Sequence, residues 1–241
     1  MDYLLILVVG LIAGTLSGIV GFGSSIMLMP VLVIAFGPLQ AVPIMAIAAI
    51  MANVSRVVVW WRELDWRVIG AYAVTGAPFG ALGAATLVAL PARFIEVVIG
   101  VFFLSMIVVR RWMAAHALKL KPAHLALIGV PVGYLTGVAV STGPLTAPLF
   151  LAAGLVKGAF IGSEAAATLV VYAAKMAVFG TLGALPPGIV LKGLITGSTL
   201  MAGAVIAKRF VLQMPAGRFR LLMDGLMLAS GLTLLWTAAF L

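Results

Sequence analysis

Long apolar runs broken by short polar or Gly/Pro-rich stretches fill this chain. Five runs occupy the first half, at about 4–21, 24–36, 42–61, 67–89 and 94–109. Five more occupy the second, at about 124–140, 144–156, 159–182, 189–210 and 218–240. A helix that crosses a bilayer needs about 20 apolar residues, and most of these runs approach that. The second run of each half is shorter. At 1.5 Å per residue, roughly 13 residues rise about 20 Å, against a hydrocarbon core of about 30 Å. The first two runs of each half therefore form either a re-entrant hairpin or two short or tilted spans. Both leave an odd number of crossings per half. The pattern predicts an all-α, polytopic membrane protein with a first repeat at 1–109, a basic linker at 110–123 and a second repeat at 124–241.

The repeat is visible in the residues. Gly10, Gly14 and Gly18 recur as Gly129, Gly133 and Gly137 at a shift of 119. Glycine at every fourth position gives a helix a flat face that another backbone can approach closely. The cluster Gly21-Phe22-Gly23-Ser24-Ser25 then predicts a helix break, and Pro30 follows. Its counterpart is Ser141-Thr142-Gly143, followed by Pro148, at a shift of 118. Phe94, Gly100 and Ser105 recur as Phe219, Gly225 and Ser230 at a shift of 125. Unwound backbone at membrane depth is tolerated where protein covers it or where it lines a cavity. Paired, Gly/Pro-interrupted apolar segments in two halves point to the binding site of a transporter.

Composition narrows the class. The chain has 241 residues, 64% hydrophobic and 9% charged, with a mean hydropathy of +1.28, which leaves no room for a sizeable soluble domain. The net charge of +9 sits between apolar runs, so the positive-inside rule accounts for it without nucleic acid. One set of loops holds Arg62, Arg67, Arg110, Arg111, Lys119, Lys121, Lys157, Lys208, Arg209, Arg218 and Arg220; the other holds little beyond Arg93 and Lys192. The rule makes the first set cytoplasmic and puts both termini outside. Equivalent loops also swap charge. The run Arg62-Glu63-Leu64-Asp65 corresponds to the uncharged 183–188, and lone Arg93 to the basic loop at 208–220. Swapped charge on two copies of one unit is what inverted topology requires. The first twenty residues lack a basic n-region and read as retained structure rather than a signal peptide. With no cysteine, disulfides and thiolate metal sites are excluded. His116 and His124 lack metal-ligand spacing, and no HExxH or GxSxG element appears, so neither a metal, a cofactor nor an enzyme is expected.

A GxxxGxxxGxxGxG element followed by two small residues and, five positions on, a proline, present in two versions, resembles the sulfite exporter TauE/SafE family of membrane permeases. The resemblance covers most of the chain. It implies a permease for anionic sulfur compounds such as sulfite, sulfoacetate and related organosulfonates, usually exporting them across a bacterial inner membrane. The family often has three glycines where this chain has Gly23-Ser24-Ser25, and the second copy has Ser141-Thr142-Gly143-Pro144. Those departures fall on the site itself, so the substrate does not carry over with the family. An anion channel and a permease for small carboxylates stay open as alternatives, and so does a homo-oligomer.

For a small anion the two breaks make a donor-rich cradle. Segments 24–36 and 144–156 would begin near the bilayer centre, where helix N-termini expose unpaired N–H groups and positive dipole ends. Ser24, Ser25, Ser141 and Thr142 supply hydroxyls and caps, while Gly21, Gly23 and Gly143 let a ligand reach the backbone. Ionisable groups inside apolar runs point to function. Arg56 and Lys175 lie at nearly equivalent depths on opposite sides of the site, since a repeat shift near 117 carries Arg56 to about residue 173. Glu164 reads first as one half of a structural ion pair, and it is also the candidate for coupling to a proton. Asn53, Thr168 and Tyr172 fall on the same paired helices and would line the path.

Overall fold

The computed structural model describes residues 2–20, 24–116, 119–139 and 142–210, together with 224–225, 228–229, 231–236 and 238–239. These residues form helices joined by short turns, with no strand among them. The helices are α1 Asp2–Val20, α2 Ser24–Phe36, α3 Pro38–Trp60, α4 Trp66–Ala89 and α5 Ala92–Ala115. They continue as α6 Pro122–Ala139, α7 Gly143–Ala152, α8 Lys157–Thr181 and α9 Pro187–Phe210. A single 3-10 turn, Trp61–Glu63, extends α3. The described residues in 224–239 are helical.

Local chemistry sets the boundaries. Gly37 separates α2 from α3 at φ 76°, a left-handed conformation that glycine adopts at little cost. Pro38 then opens α3, where a missing N–H is harmless. Asp65 caps α4: one of its carboxylate oxygens accepts from the N–H groups of Arg67 at 3.0 Å and Val68 at 3.1 Å. α5 runs past the expected boundary to Ala115. Arg111, just before the last turn of α5, is tied by two N–H groups to one oxygen of Asp224, at 2.7 and 3.0 Å.

Glycine faces decide which helices touch. α6 lies parallel to α4, with Gly129, Gly133 and Gly137 against the stretch from Tyr72 to Ala84. A Cβ on Gly133 would fall 2.7 Å from Cα of Gly76, and one on Gly137 2.6 Å from Cα of Gly83. α1 lies against α9 in the same manner, and a Cβ on Gly14 would meet Cα of Leu200 at 2.7 Å. α3 and α8 run antiparallel at the centre. The end of α3 at Trp60 rests on Gly158 and Gly162 at the start of α8. At the other end, Leu39 and Pro43 of α3 share a cavity with Phe179 of α8.

Large apolar side chains cover the outside. Val74, Leu127 and Leu4 are at least 70% exposed, which suits lipid rather than water. The stretches Pro38–Glu63, Trp66–Ala89 and Gly158–Thr181 are each long and apolar enough to cross a membrane. Trp61, Trp66, Trp112 and Trp236 are well exposed, as interfacial aromatic residues are. Trp60 is less exposed than these, because its ring packs on Gly158 of α8.

Candidate functional site

Thr142, buried and outside both helices, marks a break between α6 and α7, and buried polar groups gather around it. α6 ends at Ala139 and α7 begins at Gly143. The last four carbonyls of a helix and its first four N–H groups have no partner within that helix. Thr142 is the residue before α7, but its hydroxyl does not cap the helix. It lies 2.5 Å from the hydroxyl of Thr136 instead. Its carbonyl accepts from the N–H groups of Leu145 and Thr146, at 2.7 and 2.8 Å.

Each side of the break carries a charge of the complementary sign. The ammonium of Lys175, fully buried, donates to the carbonyl of Thr136 at 3.0 Å, in the last turn of α6, and stands 5.4 Å from the ring centre of Phe179. A cation belongs at that negative helix end. On the other side, Thr146 in the first turn of α7 donates to Glu164 at 2.7 Å, which puts a carboxylate at the positive end of α7. Thr168, one turn along α8, donates to the same carboxylate oxygen at 3.3 Å.

Arg56 completes the cluster. Its guanidinium donates to the side-chain oxygen of Asn53, and its Nη1 stands 3.6 Å from Glu164. That nitrogen is buried without a hydrogen-bond partner. A buried donor left unpaired costs about 1–3 kcal/mol, more when charged. Tyr72 of α4, buried, is within hydrogen-bonding reach of Thr136 and Thr142. Tyr172, also buried, lies within electrostatic reach of Arg56 and Tyr72.

The residues expected to act together fall largely into one network that Thr146 joins, with the serines of the first copy apart from it. Asn53, Arg56, Glu164 and Thr168 share one connected cluster. Thr142 and Lys175 meet at Thr136, and Gly143 joins through its carbonyl, which accepts from Thr146. Ser24 and Ser25 are buried in the first turn of α2, and among the described residues no hydrogen bond links them to the cluster. Gly21, Gly23 and Ser141 lie outside the described residues. Thr136, Thr146 and Tyr72 are additions. The threonines lie within a turn or two of the break, and that spacing was the available signal. Tyr72 faces the site only because the glycines of α6 draw α4 in.

No solved structure matches this chain. The chain is 30% identical over 192 residues to the probable membrane transporter protein y4hK of Sinorhizobium fredii (strain NBRC 101917 / NGR234), covering 72% of this chain and 73% of that one. The model of the family described as sulfite exporter TauE/SafE matches residues 6–234. This chain belongs to the sulfite exporter TauE/SafE family of membrane transporters, and its role is membrane transport rather than catalysis.

Proposed function

We propose that the chain is a secondary carrier of small oxyanions, of the sulfite or organosulfonate type, which it exports across a bacterial inner membrane. The anion would bind at the break between α6 and α7, between Arg56 and Lys175, with Thr136, Thr142 and Gly143 at its sides. One observation carries this reading: two cations, fully buried Lys175 and half-buried Arg56, flank the break, and among the described residues the carboxylate of Glu164 answers only one of them. Ionisable groups at membrane depth are costly and persist where they serve a path. A bound oxyanion would restore the missing charge and give Nη1 of Arg56 its acceptor.

Helix packing supports an inverted repeat. The shift of 119 that carries Gly10 to Gly129 also carries Pro38 to Lys157, the first residues of α3 and α8. The same shift carries Arg56 to Lys175. The contacts α1–α9 and α6–α4 have the crossed form expected when each copy packs on the other. Ser24 and Ser25 would stand at the equivalent break of the first copy. The basic loops then face the cytoplasm. A carrier fits better than an open channel, because Lys175 is sealed beneath Phe179 and Trp60 is packed onto α8.

Flux into proteoliposomes tests the proposal. Sulfite or sulfoacetate uptake should saturate with concentration, and Arg56→Gln should reduce it at least tenfold. Linear, unsaturating flux would make the protein a channel. Small-carboxylate flux without sulfonate flux would change the substrate class.

A further inference from the structure

The two cations of the site each precede an aromatic residue by four positions: Arg56 with Trp60, and Lys175 with Phe179. Residues four apart share a helix face, so each aromatic stands one turn nearer its helix end than its cation. The shift of 119 relates both pairs, and α3 and α8 are antiparallel. The two aromatic residues therefore close the region of the break from opposite directions.

Their surroundings differ. Trp60 is seated: a Cβ on Gly158 would clash with a carbon of its ring, and one on Gly162 would meet its Cβ at 2.9 Å. The turn after Trp60 is fastened too, with the N–H of Asp65 donating to the hydroxyl of Ser163 at 2.8 Å. Moving Gly158 and Gly162 back by 119 gives Leu39 and Pro43, which with Phe179 line a cavity of about 230 Å³. Val88, Ala184 and Ile189 add further walls, and Gln40 is its polar wall. Lys192, half-buried, donates to exposed Gln40 at 3.0 Å. The site that is packed shut at one end of the helix pair is thus hollow at the other.

We propose that Trp60 and Phe179 are the paired gates of the transport path. This structure holds the Trp60 end closed, while at the Phe179 end the ring of Phe179 lines a vestibule and stands with its centre 5.4 Å from the ammonium of Lys175. The inference rests on the transport reading above. It adds the two residues that control access and the end from which the next anion enters or leaves. Lys192 and Gln40 then form the mouth of the vestibule, and Phe179 is its floor. Exchange between the two states would seat Phe179 against Leu39 and Pro43 while Trp60 lifts from α8.

The test uses the full chain in membrane vesicles and the absence of native cysteine. A cysteine is placed below the floor by Lys175→Cys. A second reporter, Thr136→Cys, serves if the first fails to insert. The probe is 2-sulfonatoethyl methanethiosulfonate, a small membrane-impermeant sulfonate, added to the side bearing the 182–186 turn. Labelling should be slow with Phe179 present and at least tenfold faster after Phe179→Ala. Trp60→Ala should give a similar gain at Arg56→Cys from the opposite side. Unchanged rates after Phe179→Ala, or faster labelling from the opposite side, would overturn the assignment. Labelling requires no bound substrate, so the gates are judged separately from the flux of sulfite that tests the anion reading.

Discussion

Glu164 stands 3.6 Å from Nη1 of Arg56, near enough for Coulombic attraction and too far for a hydrogen bond. The carboxylate is turned toward Thr146 and Thr168, so Arg56 is neutralised without being satisfied. This is the arrangement expected of a site in which an internal carboxylate holds the place of an incoming anion. Breaking a buried pair by removing one partner typically costs about 3–5 kcal/mol. Glu164→Gln should therefore lower the melting temperature in nanodiscs, and added sulfite should recover part of the loss. At a ligand concentration of 100 times Kd the gain is about 2.7 kcal/mol. A Glu164→Gln protein whose melting is indifferent to sulfite would remove Arg56 from the binding site.

The glycine contacts separate positions that look alike in sequence. Gly133 and Gly137 are pressed onto the backbone of α4, whereas nothing lies within 4 Å of a Cβ at Gly70. Gly137→Ala should push α6 from α4 and displace Tyr72 from Thr136, reducing the yield of folded protein sharply. Gly70→Ala should be neutral or stabilising, by up to about 1 kcal/mol through helix propensity. Yield and melting temperature after purification check the contrast. A folded, stable Gly137→Ala protein would mean that the α4–α6 contact tolerates separation.

The fold was legible because its signals are local. Apolar run length gave the helices, and glycine periodicity gave the packing faces of α1 and α6. The same cue showed that a partner must come close, but not that α4 would partner α6. That choice rests on Gly76, Gly80 and Gly83, which have the right spacing and drew no attention inside an unbroken span. Within the site, the depth of Arg56 and of Glu164 could be read, but not their pairing. They lie 108 positions apart on antiparallel helices, and register across such a pair depends on how Trp60 seats on Gly158. Thr142 looked like a helix cap by residue type. Its hydroxyl turns to Thr136 instead, a partner supplied by the close of α6 and not by the α7 turn itself.

Topology is open to the same cysteine-free background. Gly188 and Ala115 are both exposed, near the start of α9 and at the end of α5. With basic loops cytoplasmic, Gly188→Cys should label with an impermeant maleimide only from outside the cell. Ala115→Cys should label only after the cytoplasmic face is opened. Labelling of both from one side would end the inverted-repeat reading.

Lys175 and Lys192 give the sharpest test of where the anion sits. Lys175 is fully buried, with its ammonium on the carbonyl of Thr136. Lys192 is only half-buried, paired with exposed Gln40 and lying 4.1 Å from the ring centre of Phe36. Two unit charges 4 Å apart attract by about 1 kcal/mol in water and by about 4 kcal/mol at an effective dielectric of 20. The same substitution should therefore cost far more at the buried position. Lys175→Gln should weaken binding of the best anion by roughly tenfold to a hundredfold, or about 1.4–2.8 kcal/mol. Lys192→Gln should change the equilibrium constant little and slow entry at low salt, because a partly exposed charge acts chiefly on encounter. Lys175→Arg should keep part of the affinity, since the charge stays but the planar fork cannot reproduce the contact with Thr136. The measurement is a dissociation constant in nanodiscs at fixed ionic strength, with the association rate taken at two salt concentrations. Equal affinities for Lys175→Gln and Lys192→Gln would leave Lys175 as a cap for the end of α6. Arg56 and the start of α7 would then be the groups that hold the anion.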